Sequence, residues 1–356
     1  MRNFICDLCT STLEVKYTDS DYIGAQPPGW SGPRMPTPIH DIDSYVSLGE
    51  GNTPLIPLPR LGDFLGLNHL SAKLEFLNPT GSYKDRGTAT MISVAHELGV
   101  KEIIEDSSGN AGASVSAYSA RAGIKAHVFA PQNAPKAKIS QIIVYGAEPH
   151  LIPGPRESTT TAALDYVRRK NMIYASHNLS PYFIEGTKSF AYEVFMQMKH
   201  RMPDHIVMPV GNGSLYLGAW KGFMELKEKG HLEKIPKLHC IQAQAVMPIV
   251  AEFNGLDWVP GNDVTVAGGI SSTDPPHKKA IINVLRQSTG AAMSVQESAI
   301  IFHQKKLADL EGIYAEPTSA AAFAGLSELV KSGCIGPEDH VLLPVTGFGL
   351  KDSPPI

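Results

Sequence analysis

Short apolar runs alternate with helical stretches from Lys101 onward, and this alternation limits the possible folds more than any other feature of the chain. The apolar runs at 103–106, 124–130 and 172–175 have the lengths of buried strands, and helical stretches such as 158–169 separate them. Strands that alternate with helices in this way form parallel sheets with helices packed on their faces. The pattern therefore predicts an α/β fold.

The size and composition of the chain exclude several classes of protein. With 356 residues, of which 43% are hydrophobic and 19% charged, the chain can bury the core of two domains or of one large α/β unit. A net charge of −4 without a basic run argues against nucleic-acid binding. No segment reaches the roughly 18 apolar residues of a membrane span, and the first residues do not resemble a signal peptide. We therefore expect a cytoplasmic protein without a membrane or nucleic-acid partner.

A glycine turn follows the predicted strand at 205–210 and leads into a helical run at 216–226. The turn consists of Gly211, Asn212, Gly213, Ser214 and Leu215. The backbone amides of such a turn can converge on a phosphate, and the positive end of the following helix dipole adds to the attraction. Glycine turns also connect ordinary α/β units, so a purely structural role stays open.

A second polar turn, residues 107–112, joins the strand at 103–106 to an alanine-rich helix at 113–122. Its amides and hydroxyls are suited to a substrate carboxylate, and the amide of Asn110 can hydrogen-bond a ring oxygen. Asn and Gly favour turns for conformational reasons as well. A third strand, 341–345, ends at the hydroxyl of Thr346.

Lys84 lies where a loop enters a helix, because a turn-forming cluster at 78–81 precedes it and apolar residues at helical spacing follow over 88–98. The positive end of the helix dipole and the neighbouring Arg86 are expected to lower its pKa. A lysine that loses its proton near neutral pH is a nucleophile for carbonyl groups, as a Schiff base with pyridoxal phosphate requires. The alternative is a surface lysine beside a helix start.

Pyridoxal phosphate presents a phosphate, a ring oxygen and a ring nitrogen, and each needs a partner. The glycine turn, Asn110 and Thr346 are candidates for these three roles. A neutral hydroxyl such as that of Thr346 leaves the ring nitrogen largely unprotonated, which favours elimination and replacement over transamination. We therefore predict pyridoxal phosphate as the cofactor.

Seven segments, in order, resemble threonine synthase, a family of fold-type II pyridoxal-phosphate enzymes in the tryptophan synthase β superfamily. They are residues 49–55, 73–75, 78–87, 209–212, 220–223, 316–321 and 346–352. The resemblance implies that Lys84 forms the Schiff base and that Asn110 meets the ring hydroxyl. It also implies that Gly211 to Leu215 hold the cofactor phosphate and that Thr346 meets the ring nitrogen.

The same resemblance implies a fold with two open, twisted, mostly parallel sheets flanked by helices, and a cofactor in the cleft between two domains. We expect an N-terminal arm over 1–47, a large cofactor-binding domain over 48–90 and 190–356, and a small substrate-side domain over 91–189. A homodimer is the implied assembly.

Two segments depart from threonine synthases on the substrate side. Ala111 and Gly112 stand where the family typically has hydroxyl side chains that help to hold the substrate phosphate, and residues 269–276 differ from an Arg-Ile-Gly-Asn-Pro type of segment. The expected substrate-binding residues are Ser82, Ser107, Ser108, Gly109 and Ala111. Lys188 is a weaker candidate for anion binding and is expected to be an ordinary exposed lysine.

The leading hypothesis is conversion of O-phosphohomoserine to threonine and phosphate by γ-elimination and β-addition of water, with Lys84 as the catalytic residue. The missing hydroxyls favour an alternative of the same fold: a serine or threonine dehydratase, an ammonia-lyase or a β-replacement synthase. A catalytically silent homologue that only binds the cofactor is the third possibility.

The cysteines do not complete a metal site in the sequence. Cys6 and Cys9 form half of a zinc-ribbon pattern, but no second pair follows, and Cys240 and Cys334 stand alone. A degenerate ribbon is the preferred interpretation, and completion of the site by His40 or by a neighbouring subunit stays open. We predict no bound metal.

Overall fold

Helices and strands alternate along the chain in the computed structural model, which describes residues 4–8, 11–18, 24–134, 136–154, 156–198, 201–261 and 264–352. The strands are β1 Leu55–Pro57, β2 His69–Lys73, β3 Glu102–Glu105, β4 Lys125–Pro131, β5 Glu148–Ile152, β6 Ile173–Tyr174, β7 His205–Pro209, β8 Lys237–Ala243, β9 Ala292–Val295 and β10 His340–Pro344. The helices are α1 Pro59–Leu65, α2 Lys84–Glu97, α3 Asn110–Ala122, α4 Lys136–Val144, α5 Arg156–Lys170, α6 Pro181–Thr187, α7 Ser189–Met198, α8 Ser214–Glu228, α9 Pro248–Asn254, α10 Lys278–Gln287, α11 Glu297–Glu311 and α12 Pro317–Lys331.

The chain divides into two compact units, each assembled from separate segments. Unit 1 comprises Met1–Gly51 and Asn78–Ser189, and unit 2 comprises Asn52–Leu77 and Phe190–Ile356. The predicted α/β class is confirmed, because each unit contains a mostly parallel sheet flanked by helices. The assignment of a cofactor-binding and a substrate-side domain stays a prediction.

Unit 1 is built on a four-stranded sheet in the order β5-β4-β3-β6, in which all neighbouring strands are parallel. Its core contains Ile103 and Val128 from the strands together with Ile92 and Tyr118 from α2 and α3. Strand β4 is buried along most of its length because parallel strands are covered on both faces.

Unit 2 is built on a six-stranded sheet in the order β1-β2-β10-β7-β8-β9, and only β1 is antiparallel to its neighbour. Strands β7, β8 and β10 are almost wholly buried, as the near-continuous apolar runs in their sequences predict. The alanines of α12 lie fully inside this core, where their small side chains let the helix backbone approach its neighbours.

The structure bears on two sequence predictions, the start of helix α3 and the N-terminal cysteine pair. Helix α3 begins at Asn110, three residues before the predicted start at Ala113, because Gly109 already occupies the N-cap position. In the N-terminal arm, the N–H of Cys6 donates to the Ser11 carbonyl over 2.8 Å and an isolated bridge joins Ile5 to Thr12. Cys9, the other half of the predicted ribbon pattern, lies outside the described residues.

A buried ion pair links β2 to α7 within unit 2. The ammonium of Lys73, which has no solvent exposure, lies 2.8 Å from a Glu193 carboxylate oxygen. It also donates to the Thr53 carbonyl over 2.9 Å and to the Gln197 side-chain oxygen over 2.8 Å. Every proton of the ammonium therefore has an acceptor, which a buried charge requires.

We expect Lys73→Met to destabilise the fold by about 3–5 kcal/mol, because it leaves the Glu193 carboxylate buried without its cation. Urea denaturation followed by tryptophan fluorescence measures the effect. Lys331→Met is the matched control, since Lys331 pairs with Glu328 at the surface of α12, and its loss should cost less than about 1 kcal/mol. Equal shifts in the two variants would contradict a special role for the buried pair.

Candidate active site

Lys84 is the first residue of α2, as the sequence predicts. Its side chain is partly exposed, and its Nζ lies 4.8 Å from the ring centroid of Tyr83 and 5.5 Å from that of Phe183. The described part of the chain offers this ammonium neither a hydrogen-bond acceptor nor a carboxylate partner. The rings of Tyr83 and Phe183 therefore lie beside the Lys84 ammonium, and no described hydrogen bond or ion pair prevents its amine from reacting.

The carboxylate of Asp85, the next residue, fixes the start of α2. It accepts hydrogen bonds from the backbone N–H and the hydroxyl of Thr80, over 2.7 and 2.6 Å, and from the hydroxyl of Ser114 over 2.6 Å. The residue is fully buried. Asp85 thus connects the turn before Lys84, the first turn of α2 and the second turn of α3.

The loop at 107–109 and the first turn of α3 are held next to this point. The Ser114 hydroxyl lies within 2.8 Å of that of Thr88, so α2 and α3 meet near their N-terminal ends. Gly112 permits the loop to fold back, since a Cβ there would collide with the carbonyl oxygen of Ser107. Ser82 lies two residues before Lys84, and its hydroxyl is buried with no hydrogen-bond partner among the described residues.

The base of the same loop is fixed by a buried carboxylate at the end of β3. Glu105 accepts a hydrogen bond from the backbone N–H of His177 over 3.2 Å, and its other oxygen lies 2.8 Å from His177 Nδ1. Asp106 accepts from the hydroxyl of Thr160 over 2.7 Å. These bonds hold the chain in place immediately before Ser107.

The carboxylates of Asp85 and Glu50 both act on Tyr118 of α3. Burial, together with the charges of Asp85 and Glu50, raises the pKa of Tyr118 well above its usual value. The Tyr118 hydroxyl donates to a Glu50 carboxylate oxygen over 2.7 Å. Tyr118 therefore stays protonated and serves as a donor in the core of unit 1.

In unit 2, Gly211, Asn212 and Gly213 lie between β7 and α8, as predicted, whereas Ser214 and Leu215 are the first two residues of α8 rather than part of the turn. Gly213 is the N-cap of α8 and has φ of +82°, a left-handed conformation that favours glycine. The described residues provide no acceptor for the backbone N–H groups of Gly211, Gly213 and Leu215. These donors, at the positive end of a helix dipole, are suited to a phosphate group.

Thr346 follows β10, which pairs in parallel with β7, so this hydroxyl and the glycine turn lie at the same edge of the sheet. The Thr346 hydroxyl donates to a Glu316 carboxylate oxygen over 3.0 Å, and the Ser319 hydroxyl lies 2.8 Å from it. The N–H of Gly347 donates to Ser319 over 3.2 Å. The predicted neutral partner of the ring nitrogen is therefore coupled to a buried carboxylate.

One of the substrate-side departures also lies in unit 2, next to this network. The N–H of Gly269 donates to the hydroxyl of Thr318 over 2.9 Å. Thr318 belongs to the same short segment as Glu316 and Ser319, at the start of α12. The segment at 269–276 is thus hydrogen-bonded to the start of α12, where Glu316 and Ser319 contact Thr346.

The expectation that Lys188 is an exposed lysine is wrong. Its ammonium is fully buried, lies 2.6 Å from a Glu185 carboxylate oxygen and lies 4.9 Å from the Tyr17 ring centroid. The Tyr17 hydroxyl donates to the same Glu185 oxygen over 2.6 Å. Residues of the N-terminal arm complete this ion pair, and no local pattern around Lys188 reveals a partner so distant in sequence.

The predicted site residues therefore form two groups. Unit 1 brings Lys84, the predicted cofactor residue Asn110 and the predicted substrate residues to the starts of α2 and α3; the substrate residues are Ser82, Ser107, Ser108, Gly109 and Ala111. Unit 2 brings Gly211, Asn212, Gly213, Ser214 and Leu215 to the same sheet edge as Thr346. No sequence pattern indicated a role for Asp85 or Glu316, although both lie within the segments that resemble threonine synthase.

The donor set fits pyridoxal phosphate. Unit 1 offers an amine and a buried hydroxyl that have no partner among the described residues, and these suit a carbonyl nucleophile and a polar contact. Unit 2 offers three backbone amides without a described acceptor, and these suit a phosphate. A sequence model of the family described as pyridoxal-phosphate dependent enzyme matches residues 46–347. The chain belongs to this family. Its cofactor is pyridoxal phosphate, as predicted.

Curated relatives indicate which group within this family the chain is similar to. The chain is 37% identical over 322 residues to threonine synthase of Methanocaldococcus jannaschii, covering 88% of this chain and 78% of the relative. It is 35% identical over 363 residues to threonine synthase of Methanosarcina acetivorans, covering 98% of this chain and 88% of the relative. The predicted resemblance is confirmed, and the protein is a pyridoxal-phosphate-dependent lyase of the threonine synthase type.

Solved structures confirm the fold. An L-serine ammonia-lyase from Rhizomucor miehei has a TM-score of 0.74 at 21% identity, covering 84% of this chain and 94% of that chain. The processed form of threonine deaminase isoform 2 from Solanum lycopersicum has a TM-score of 0.73 at 20% identity, covering 98% of this chain and 95% of that chain.

Among the described residues, no helix is both long and apolar enough to cross a membrane.

We expect Asp85→Asn to destabilise the protein by about 1–3 kcal/mol. Both oxygens of the Asp85 carboxylate accept hydrogen bonds, and the substitution replaces one of them with an NH₂ group that can only donate. Thermal and urea unfolding measure the loss. Asp165→Asn on exposed α5 is the matched control and should change stability by no more than about 0.5 kcal/mol. A neutral effect of Asp85→Asn would show that the start of α2 does not depend on this carboxylate.

Proposed function

We propose that the protein converts O-phosphohomoserine to threonine and inorganic phosphate by γ-elimination followed by β-addition of water. The observation that carries the proposal is the placement of Lys84: its amine lies at the start of α2, against two rings and without a described partner. The names of the curated relatives support this substrate, and the relatives cover most of the chain.

Pyridoxal phosphate supplies an electron sink for the bonds at the α-carbon of an amino acid. We propose that Lys84 would hold the aldehyde group of the cofactor and that its amine would carry the protons that the substrate carbons lose and regain. The backbone amides of Gly211, Gly213 and Leu215 would hold the cofactor phosphate, together with the neighbouring residues Asn212 and Ser214. Thr346 would hold the ring nitrogen, and Asn110 would hold the ring hydroxyl.

The substrate side belongs to the N-terminal ends of α2 and α3. Ser107 and Ser108 retain hydroxyls in the loop before α3, and the positive end of that helix attracts an anion such as the substrate carboxylate. Ser82 adds a buried hydroxyl without a described partner. Ala111 contributes a backbone N–H group rather than a side chain to this proposed site, and the N–H of Gly109 donates to the Ser107 hydroxyl over 3.2 Å and so orients that side chain.

The decisive experiment is an assay of the cofactor-loaded protein with O-phosphohomoserine, in which inorganic phosphate and threonine are both quantified. We expect equal amounts of the two products. Lys84→Ala should abolish product formation and remove the absorbance band of the lysine-bound cofactor. Lys221→Ala, a lysine of α8, is the matched control and should retain both signals. A wild-type protein that releases no phosphate would refute the proposed substrate.

A dehydratase or ammonia-lyase activity on serine or threonine is the second candidate function, and the first turn of α3 favours it. Ala111 is a buried residue with a methyl group where threonine synthases typically offer a hydroxyl to the substrate phosphate. The same assay distinguishes the candidates when serine and threonine are tested in parallel. Keto acid formed without phosphate would assign the protein to this second function.

We predict that the Glu316 carboxylate raises the pKa of the cofactor's ring nitrogen through Thr346, because a nearby negative charge favours the protonated form. Glu316→Gln should lower that pKa by about one unit or more. The ¹⁵N chemical shift of ring-labelled pyridoxal phosphate, followed against pH, measures it without reference to activity. Glu328→Gln, an exposed carboxylate on the same helix, should leave the titration unchanged. An unchanged titration in Glu316→Gln would mean that Thr346 acts alone.

The proposal also includes a homodimer in the cytoplasm, with the large cofactor-binding domain over 48–90 and 190–356 and the small substrate-side domain over 91–189.

A further inference from the structure

Three side chains that could ligate a metal ion converge on the sheet of unit 1, at a place that the proposed reaction does not use. They are His127 on β4 and Glu148 and His150 on β5, and their ligand atoms all lie within 4.8 Å of one another. His127 is paired with Glu148 in the parallel register, and His150 is two residues further along β5. The residues therefore share one face of two adjacent strands.

The distances match those required around a four-coordinate ion. With Zn–N bonds of about 2.0–2.1 Å, tetrahedral geometry places two ligand nitrogens about 3.3 Å apart. His127 Nδ1 and His150 Nε2 are 3.2 Å apart. Each of these nitrogens also lies 3.6 Å from an oxygen of Glu148. Small side-chain movements bring all three groups into the first coordination sphere of one ion.

A further carboxylate orients the buried histidine. His127 Nε2 lies 2.9 Å from a Glu102 carboxylate oxygen, so the ring proton sits on Nε2 and the lone pair of Nδ1 points towards His150 and Glu148. A carboxylate that accepts from the other nitrogen of a ligating histidine is a common feature of zinc sites, because it fixes the tautomer and the ring orientation.

Aromatic packing holds the second histidine in place. The ring of His150 stacks on Phe129, with centroids 4.5 Å apart and planes inclined by 11°. Tyr166 of α5 packs beside both histidines, at 5.6 Å from His127 and 5.3 Å from His150. The two imidazole rings are therefore arranged before any ion binds, which lowers the cost of binding.

The charge of the cluster also suits a cation. Glu102 and Glu148 place two negative charges beside the rings, and Lys125 offsets one of them by pairing with one oxygen of Glu148 over 2.8 Å. The second oxygen of Glu148 remains for a metal. His127 and Glu148 line a cavity of about 510 Å³, and the Glu148 side chain is about half exposed, so an ion and its water can enter from solvent.

We propose that His127, Glu148 and His150 bind a divalent transition-metal ion of the zinc type, with water in the fourth position. Two imidazoles and one carboxylate form a donor set that suits Zn²⁺ better than Mg²⁺ or Ca²⁺, which prefer oxygen ligands. The ion connects β4 to β5 and thereby stabilises the edge of the four-stranded sheet. The sequence predicts no metal here because the ligands are a strand apart and have no metal-binding spacing.

The test is titration of the full-length, untagged, cofactor-loaded protein with Zn²⁺, by calorimetry and by dialysis with metal analysis. Cys6→Ser/Cys9→Ser serves as the background so that the cysteine pair does not contribute. We expect one Zn²⁺ per chain and an increase in the melting temperature. Replacement by Co²⁺ should give the intense visible absorption of a four-coordinate ion.

Variants in the same background separate the ligands from the protein as a whole. His150→Phe keeps the stack on Phe129 but removes a ligand, and it should weaken Zn²⁺ binding by more than about 100-fold. Glu102→Gln, which only loosens the orientation of His127, should weaken it by about 10–100-fold. His231→Phe, an exposed histidine beside Phe195 in unit 2, is the matched control and should bind as tightly as the background protein.

Two results would overturn the proposal. One is Zn²⁺ binding of equal strength in the background protein and in His150→Phe. The other is binding of inorganic phosphate without Zn²⁺, which would instead assign the cavity to an anion, because Lys101, Lys125 and Lys170 also line it.

Discussion

The buried carboxylate of Asp85 is the interaction on which the arrangement of unit 1 depends. Its oxygens accept from the Thr80 backbone, the Thr80 hydroxyl and the Ser114 hydroxyl, so three segments of chain meet at one residue. A carboxylate that accepts several hydrogen bonds can stay charged in a core, where an unsatisfied charge would be expelled. Because Lys84 is the adjacent residue, the same bonds that stabilise the core also fix the backbone of the reactive lysine.

Buried charges recur in both units, and each joins segments that are distant in sequence. Lys73 with Glu193 connects β2 to α7 in unit 2, and Lys188 with Glu185 receives Tyr17 from the N-terminal arm in unit 1. Such pairs add little net stability compared with apolar contacts, but a missing partner is costly. They therefore specify which segments pack together more than they strengthen the packing.

The sequence predicted the features that depend on local pattern. Alternation of strands and helices predicted the α/β class, and the turn before Lys84 predicted its place at a helix start. Chemistry that depends on contacts between distant segments was not predictable in this way. The burial of Lys188 depends on Tyr17, and the cluster around His127 depends on the register between β4 and β5. The Thr346 hydroxyl was found from its position after a strand, but its bond to Glu316 spans 30 residues of sequence.

The position of β10 has a consequence for how the chain is made. This strand is the last one described, yet it lies inside the six-stranded sheet between β2 and β7. During vectorial synthesis, β2 and β7 emerge long before the strand that joins them, so each presents an open edge that another chain can pair with. Unit 1 has no such delay, because all four strands of its sheet lie between residues 102 and 174. Unit 1 can therefore form its sheet early, whereas unit 2 must protect its unpaired strands until β10 has been synthesised.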